Sequence, residues 1–236
     1  MIPYSRQIIH EEDIQAVVSV LRSDMLTQGE KVPEFECAIS DFCGSAHAVA
    51  VNSGTSALHL ACLALGLGEG DWLWTTPITF VASANCGLYC GARVDFVDIE
   101  PESGLISIEA LRRKLIDAKE RNCLPKVLVS VHFAGQSCDM KAISDLSKEF
   151  GFKVIEDACH ALGASYQGEV VGGCKFSDIT VFSLHPVKII TSGEGGLALT
   201  NNDDYANAMR KLRTHGITCE NMYAPMEQQF PWSYEQ

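Results

Sequence analysis

Short, nearly unbroken apolar runs recur along this chain, separated by longer stretches with helical periodicity. That alternation constrains the fold more than any other property. The runs fall at residues 47–51, 72–76, 94–98, 126–133, 153–157, 179–183 and 196–200. Helical patterns at 56–65, 81–89, 108–119, 140–150 and 204–214 lie between or after them, and two more, near 11–21 and 32–42, precede the first. A strand that is apolar throughout has to be covered on both faces. Strands of this kind joined by helices predict an α/β domain built on a mostly parallel central sheet.

Ligands of such sheets gather beyond the carboxyl ends of the strands. Unusual polar residues stand at those ends here: Asn52-Ser53-Gly54-Thr55-Ser56 after the first run, Thr76-Pro77 after the second, Asp157 after the fifth and Ser183 after the sixth. Charge narrows the class of ligand. With 18 Lys+Arg against 30 Asp+Glu, the formal net charge is −12, which argues against nucleic acid or an anionic membrane as the main partner. An anionic small molecule would need local donors, such as a helix N-terminus or a few placed cations.

No apolar run reaches the length of a membrane span, and the first six residues are not followed by the apolar stretch of a signal peptide. Of ten cysteines, Cys37, Cys43, Cys62, Cys86 and Cys90 fall in helix-like segments and read as small core residues. Reduced thiols in a cytoplasmic protein are the expectation. Cys86 and Cys90 lack a second ligand pair at zinc spacing, so no metal site is expected.

Four groups at the expected rim carry chemistry. Asn52-Ser53-Gly54-Thr55-Ser56-Ala57-Leu58 reads as a strand–turn–helix junction whose first N–H groups and hydroxyls suit an anion. Taken alone, it also reads as an ordinary N-cap. It fits neither the dinucleotide glycine pattern nor the P-loop. Asp157 closes an apolar strand and suits a protonated heterocyclic nitrogen, as a pyridoxal phosphate site requires, although a helix N-cap aspartate is common. His160 follows as a less certain partner. Ser183 and Lys188 sit five apart where a strand leaves the sheet. Val187, Ile189 and Ile190 flank the lysine, and a desolvated amine of this kind suits Schiff-base chemistry. A lone lysine among apolar residues is more often a snorkelling side chain. Phe80 offers a stacking ring, or a core residue. His185 lies nearby without a derivable role. Together the four groups supply a phosphate seat, a pyridinium partner, a stacking ring and an amine.

With these residues assembled, the chain closely resembles the DegT/DnrJ/EryC1/StrS aminotransferases, pyridoxal phosphate enzymes of nucleotide sugars. The resemblance runs over essentially the whole chain. It rests on Leu26-Thr27-Gln28-Gly29, the segment 52–58, Glu156-Asp157-Ala158, Phe182-Ser183, and Lys188 with Gly193-Glu194-Gly195-Gly196. It implies the aspartate aminotransferase-like fold type I large domain over residues 1–215. Residues 216–236 would then be a truncated linker toward a missing C-terminal small domain. Tyr223, Phe230, Trp232 and Tyr234 in that tail have little left in the chain to bury them.

By the same resemblance, Lys188 is the Schiff-base lysine and Asp157 pairs with the pyridinium nitrogen. Phe80 stacks on the ring, while Gly54, Thr55 and Ser183 hold the phosphate. His160 lies near the phenolic oxygen, and Tyr4, Leu26 and Thr27 border the sugar nucleotide. The segments 2–7 and 79–86 are most similar to PseC-type members. That likeness implies transfer of an amine from L-glutamate to a UDP-linked 4-keto-6-deoxy-N-acetyl hexose, giving UDP-4-amino-4,6-dideoxy-N-acetyl-β-L-altrosamine in pseudaminic acid biosynthesis, by a homodimer.

PseC-type chains commonly carry alanine at the position of Gly54, a mild change that should leave the backbone donors intact. They also continue into an asparagine-bearing segment that reaches the neighbouring subunit's cofactor phosphate. Weak or absent turnover is therefore expected of the isolated chain. Three alternatives stand beside this reading: an aminotransferase of another 4-keto- or 3-keto-deoxysugar nucleotide, a sugar dehydratase of the same family, and a non-catalytic cofactor-binding protein. Family dehydratases place histidine where Lys188 stands.

Overall fold

The computed structural model describes residues 2, 3 and 5–216. They form helices α1 (Glu11–Leu21), α2 (Lys31–Cys43), α3 (Gly54–Ala64), α4 (Ala82–Tyr89), α5 (Ile108–Glu120), α6 (Met140–Phe150) and α7 (Asp203–Arg213). The strands are β1 (His47–Val51), β2 (Trp72–Thr75), β3 (Arg93–Phe96), β4 (Val127–Val131), β5 (Lys153–Asp157), β6 (Ser165–Tyr166), β7 (Glu169–Val170), β8 (Ile179–Ser183) and β9 (Gly196–Thr200).

Local chemistry sets the helix ends. The side chains of Ser53, Ser107, Asp139 and Asn202 each accept from a backbone N–H three residues on, capping α3, α5, α6 and α7. Gly151, at φ 82°, ends α6 in the left-handed conformation that an L side chain resists. The 3.6-residue period then decides which faces are buried. α5 buries Leu111, Leu115 and Ala118, and α6 buries Met140, Ile143 and Leu146. Each large aliphatic side chain so removed from water contributes about 1.5–3 kcal/mol.

Seven strands make the main sheet in the order β1-β9-β8-β5-β4-β2-β3. β2, β3, β4, β5 and β8 pair in parallel, whereas β9 is antiparallel to both its neighbours, β1 and β8. The sheet is therefore mostly parallel, as the apolar runs predict. The reversed β9 is an addition, since a fully buried strand reads alike in either direction. Alternate side chains divide the core. Val49, Val129, Ile155, Val181 and Ala198 pack with α3, α4 and α7 on one face. Leu128 and Val154 meet α5 and α6 on the other, where Phe182, Leu197 and Leu199 continue toward α2.

The structure departs from these expectations in places. The run at 94–98 forms strand over Arg93–Phe96, and that at 126–133 over Val127–Val131, so His132 and Phe133 lie beyond the strand, at its exit. The β6–β7 hairpin is an unexpected element, too short for two-residue alternation to register. Cys37 is exposed on α2 rather than packed in the core, and Cys90 caps α4 half-buried; Cys43, Cys62 and Cys86 are buried as expected. Tyr4 and the aromatic residues of the tail lie outside the described residues. So does the expected linker, apart from Gly216. No helix among the described residues is long and apolar enough to cross a membrane.

Candidate active site

The parallel strands release their chains at one rim, and the loops that follow enclose a cavity of about 500 Å³. Its walls include Gly54, Thr55, Phe80, Asp157, His160, Ser183 and Lys188, seven residues singled out from the sequence. Leu26 and Thr27 are not in this wall. Both are exposed in the turn between α1 and α2.

At one end stands the first turn of α3. An α-helix leaves its first N–H groups without intrahelical partners. Ser53 Oγ takes that of Ser56 at 3.1 Å, leaving those of Gly54 and Thr55 at the cavity wall beside Ser183. Hydroxyls and free N–H groups at a helix N-terminus make an anion seat. The turn is packed tightly enough to exclude side chains. A Cβ on Gly54 would fall 2.9 Å from Ser183 Cβ and 3.2 Å from Cys159 Sγ, and one on Gly196 would fall 2.3 Å from the Ser53 carbonyl carbon. So β9 reaches the site only because its first residue is glycine.

Asp157 ends β5, buried beneath the cavity. Ser83 Oγ donates to its Oδ2 at 2.6 Å, and the Cys159 backbone N–H approaches Oδ1 at 3.3 Å. Burial, then the neighbouring Asp157 carboxylate, pushes the Cys159 thiol well above the ordinary range, so it stands as a neutral wall group.

Lys188 follows β8 through a short turn, its N–H bonded to the His185 carbonyl at 2.9 Å. Its Nζ lies 2.6 Å from His160 Nε2. Burial and the positive charge of Lys188 hold the imidazole below its usual value, which leaves the ring neutral as an acceptor. The apolar flanks act otherwise than expected. Val187, Ile189 and Ile190 are themselves exposed, at 37%, 63% and 43%. The half-buried position of the lysine comes from the cavity and not from its sequence neighbours. Phe80 is likewise 71% exposed, an aromatic ring offered at the cavity mouth rather than a core residue.

Several wall residues went unremarked in the sequence. His132 is buried at the exit of β4, with Nε2 2.7 Å from Glu156 Oε2, while Glu156 also accepts from Ser177 and Thr180. Burial opposes the charged ring and the Glu156 carboxylate favours it, while Nδ1 accepts from the Cys138 backbone N–H at 3.3 Å, the arrangement of a neutral ring that donates from Nε2 to Glu156. For Glu156, burial is outweighed by His132 and the two hydroxyls, and its carboxyl is lowered. Ala134, beside His132, has φ 53°, a left-handed backbone at the cavity wall. Single-sequence patterns carry no signal for these, because each depends on a partner distant in the chain. Among the described residues no group of three or more His, Cys, Asp and Glu side chains is placed to hold a metal ion.

The residues fit pyridoxal phosphate by shape and charge: a carboxylate for a protonated ring nitrogen, a primary amine, a flat apolar ring, and an anion seat. Several known proteins are similar to this chain. A transaminase of Campylobacter jejuni strain 81-176, named UDP-4-amino-4,6-dideoxy-N-acetyl-beta-L-altrosamine transaminase, is 43% identical over 223 residues, which are 94% of this chain and 57% of that protein. PseC of Helicobacter pylori, described as an aminotransferase involved in the biosynthesis of pseudoaminic acid, superposes with a TM-score of 0.84 at 37% identity, covering 94% of this chain and 58% of that one. Spr1654 of Streptococcus pneumoniae in its PMP form superposes at 0.87 with 28% identity, covering 100% and 62%.

The chain thus spans less than three fifths of the first two of these relatives. Its sheet and helical layers are those of the type I pyridoxal phosphate-dependent transferases. The model of one family matches residues 7–229, nearly the whole sequence. On that match, and on the identities above, the chain belongs to the DegT/DnrJ/EryC1/StrS aminotransferase family.

Proposed function

We propose that this chain carries the cofactor site of a pyridoxal phosphate-dependent aminotransferase acting on a nucleotide-linked ketosugar. The observation that carries the reading is the placement of the Lys188 amine in one cavity with Asp157, Phe80 and the first turn of α3. When bound, pyridoxal phosphate supplies the electron sink that makes amine transfer feasible. The protein's part is positional. Asp157 offers its carboxylate to the ring nitrogen, and Phe80 covers one face. Gly54, Thr55 and Ser183 take the phosphate. Lys188 Nζ moves the proton, with neutral His160 as its hydrogen-bond acceptor 2.6 Å away.

The finer reading is a UDP-linked 4-keto-6-deoxy-N-acetyl hexose as acceptor and L-glutamate as donor, in pseudaminic acid biosynthesis. It is supported by the Campylobacter jejuni and Helicobacter pylori likenesses. A second reading, another nucleotide ketosugar, is favoured by 39% identity to the UDP-4-amino-4-deoxy-L-arabinose–oxoglutarate aminotransferase of Shewanella sediminis. The tests are separate. Purified protein mixed with pyridoxal phosphate should show a visible absorbance band that borohydride abolishes, with the added mass on Lys188. No band, or mass on another lysine, sinks the cofactor reading. Single-turnover transfer from glutamate to ketosugar nucleotides of each configuration then decides the acceptor. Success only with a sugar other than the L-arabino ketosugar sinks the pseudaminic acid assignment.

A further inference from the structure

The Ser83 hydroxyl is fully buried and touches three oxygens. They are Asp157 Oδ2 at 2.6 Å, Thr79 Oγ1 at 2.7 Å and the Phe80 carbonyl at 3.2 Å. A hydroxyl has one proton to give. An ionised carboxylate can only accept, and it is the nearest of the three, so the proton goes to Asp157. Ser83 is then free to accept from Thr79, whose own proton has nowhere nearer to go. The result is a directed chain, Thr79 to Ser83 to Asp157. It crosses 74 residues of sequence to join the first turn of α4 to the end of β5.

Two consequences follow from direction. With Oδ2 held by Ser83 and Oδ1 approached by the Cys159 N–H, the carboxylate plane is fixed on both sides. The carboxylate so held lines the cavity. The chain also begins at the turn that carries Phe80, so the segment presenting that ring is tied through Ser83 to the Asp157 carboxylate at the end of β5.

We propose that Ser83, backed by Thr79, is a positioning residue that holds the Asp157 carboxylate toward the ring nitrogen of the cofactor. This rests on the cofactor reading above, but its test does not depend on turnover. The probe is pyridoxal phosphate isotope-labelled at the ring nitrogen, followed by NMR, with a parallel titration of cofactor affinity. Ser83→Ala should weaken binding about tenfold, the loss expected for a hydrogen bond to a charged group. The nitrogen resonance should move toward the unprotonated position. Ser83→Thr keeps the hydroxyl and should restore both. Thr79→Val, which leaves Ser83 in place, should move both in the same direction by less, and serves if Ser83→Ala fails to fold.

A purely structural role would lower Tm and weaken binding without moving the nitrogen resonance, and that result overturns the proposal. Unchanged affinity and resonance in Ser83→Ala and Thr79→Val also overturn it while leaving the cofactor reading intact. A wild-type protein that binds no cofactor overturns both, and the borohydride experiment identifies that case.

Discussion

The Lys188 amine and the His160 imidazole meet at 2.6 Å, one from the exit of β8 and the other from the loop after β5. Each polar group in the pair is the other's partner, so removing either leaves a half-buried group to find a new one. Lys188→Met should abolish the visible cofactor band and reduce amine transfer by about 10²–10⁴-fold, the range for a lost proton-transfer group. It should also raise the His160 pKa, because the positive charge that helps burial to depress it is gone. Ring-proton NMR across a pH titration reads that shift. A His160 titration unchanged by the substitution contradicts the pairing.

Replacing Gly54 with alanine should cost stability and phosphate affinity together. Its Cβ would sit 2.9 Å from Ser183 Cβ, so α3 or β8 must give way. Overpacking of this sort costs about 1–3 kcal/mol. Denaturant midpoint and cofactor titration check the two effects, and a stable, tightly binding Gly54→Ala protein refutes the argument from crowding.

Phe80→Ala should separate binding from folding. At 71% exposure the ring contributes little to the core, and surface changes of this type usually stay within about 0.5 kcal/mol. Loss of an aromatic stack worth about 0.5–1.5 kcal/mol should still weaken cofactor binding by roughly two- to twelvefold. Calorimetric Tm and a fluorescence titration are the measurements. A large fall in Tm would mean that the ring is part of the core after all.

The buried pair His132–Glu156 should shape stability against pH. Glu156 is lowered from 4.5 in the fold, so its contribution is present above about that pH and is lost as pH falls through the folded value. His132 accepts the Cys138 N–H at Nδ1, so it acts as a neutral donor to Glu156 and adds no alkaline loss of its own. Stability from this pair should therefore fall on the acid side, below about 4.5. Thermal unfolding across pH tests the shape. His132→Ala should cost about 3–5 kcal/mol by stranding the carboxylate, and should move the acid loss to higher pH.

Much of the site was legible because polar residues interrupt apolar strands where little else explains them. Asp157 after Val154 and Ile155, Ser183 after Val181 and Phe182, and the small residues at 52–56 all announce a rim without any distance information. The pairings were not legible. Ser83 and Asp157 are brought together by the order of β2 and β5 in the sheet, which periodicity does not encode. The reversal of β9 was equally hidden, since Leu197, Ala198 and Leu199 would be buried in a strand of either direction. The apolar neighbours of Lys188 do not bury it; the cavity does. Apolar character in Ile189 and Ile190 says what they could pack on, not whether anything lies over them.

β9 also fixes when the site can exist. It pairs on one edge with β1, about 150 residues earlier, and its glycine seats the turn that opens α3. Closing so long a loop carries an entropic toll that shorter-range pairings do not. On a ribosome, the phosphate seat stays without its backing until residues beyond 200 have emerged, long after Gly54 and Thr55 were made. The candidate pocket is therefore completed late, about 150 residues after the strand that leads into its first turn.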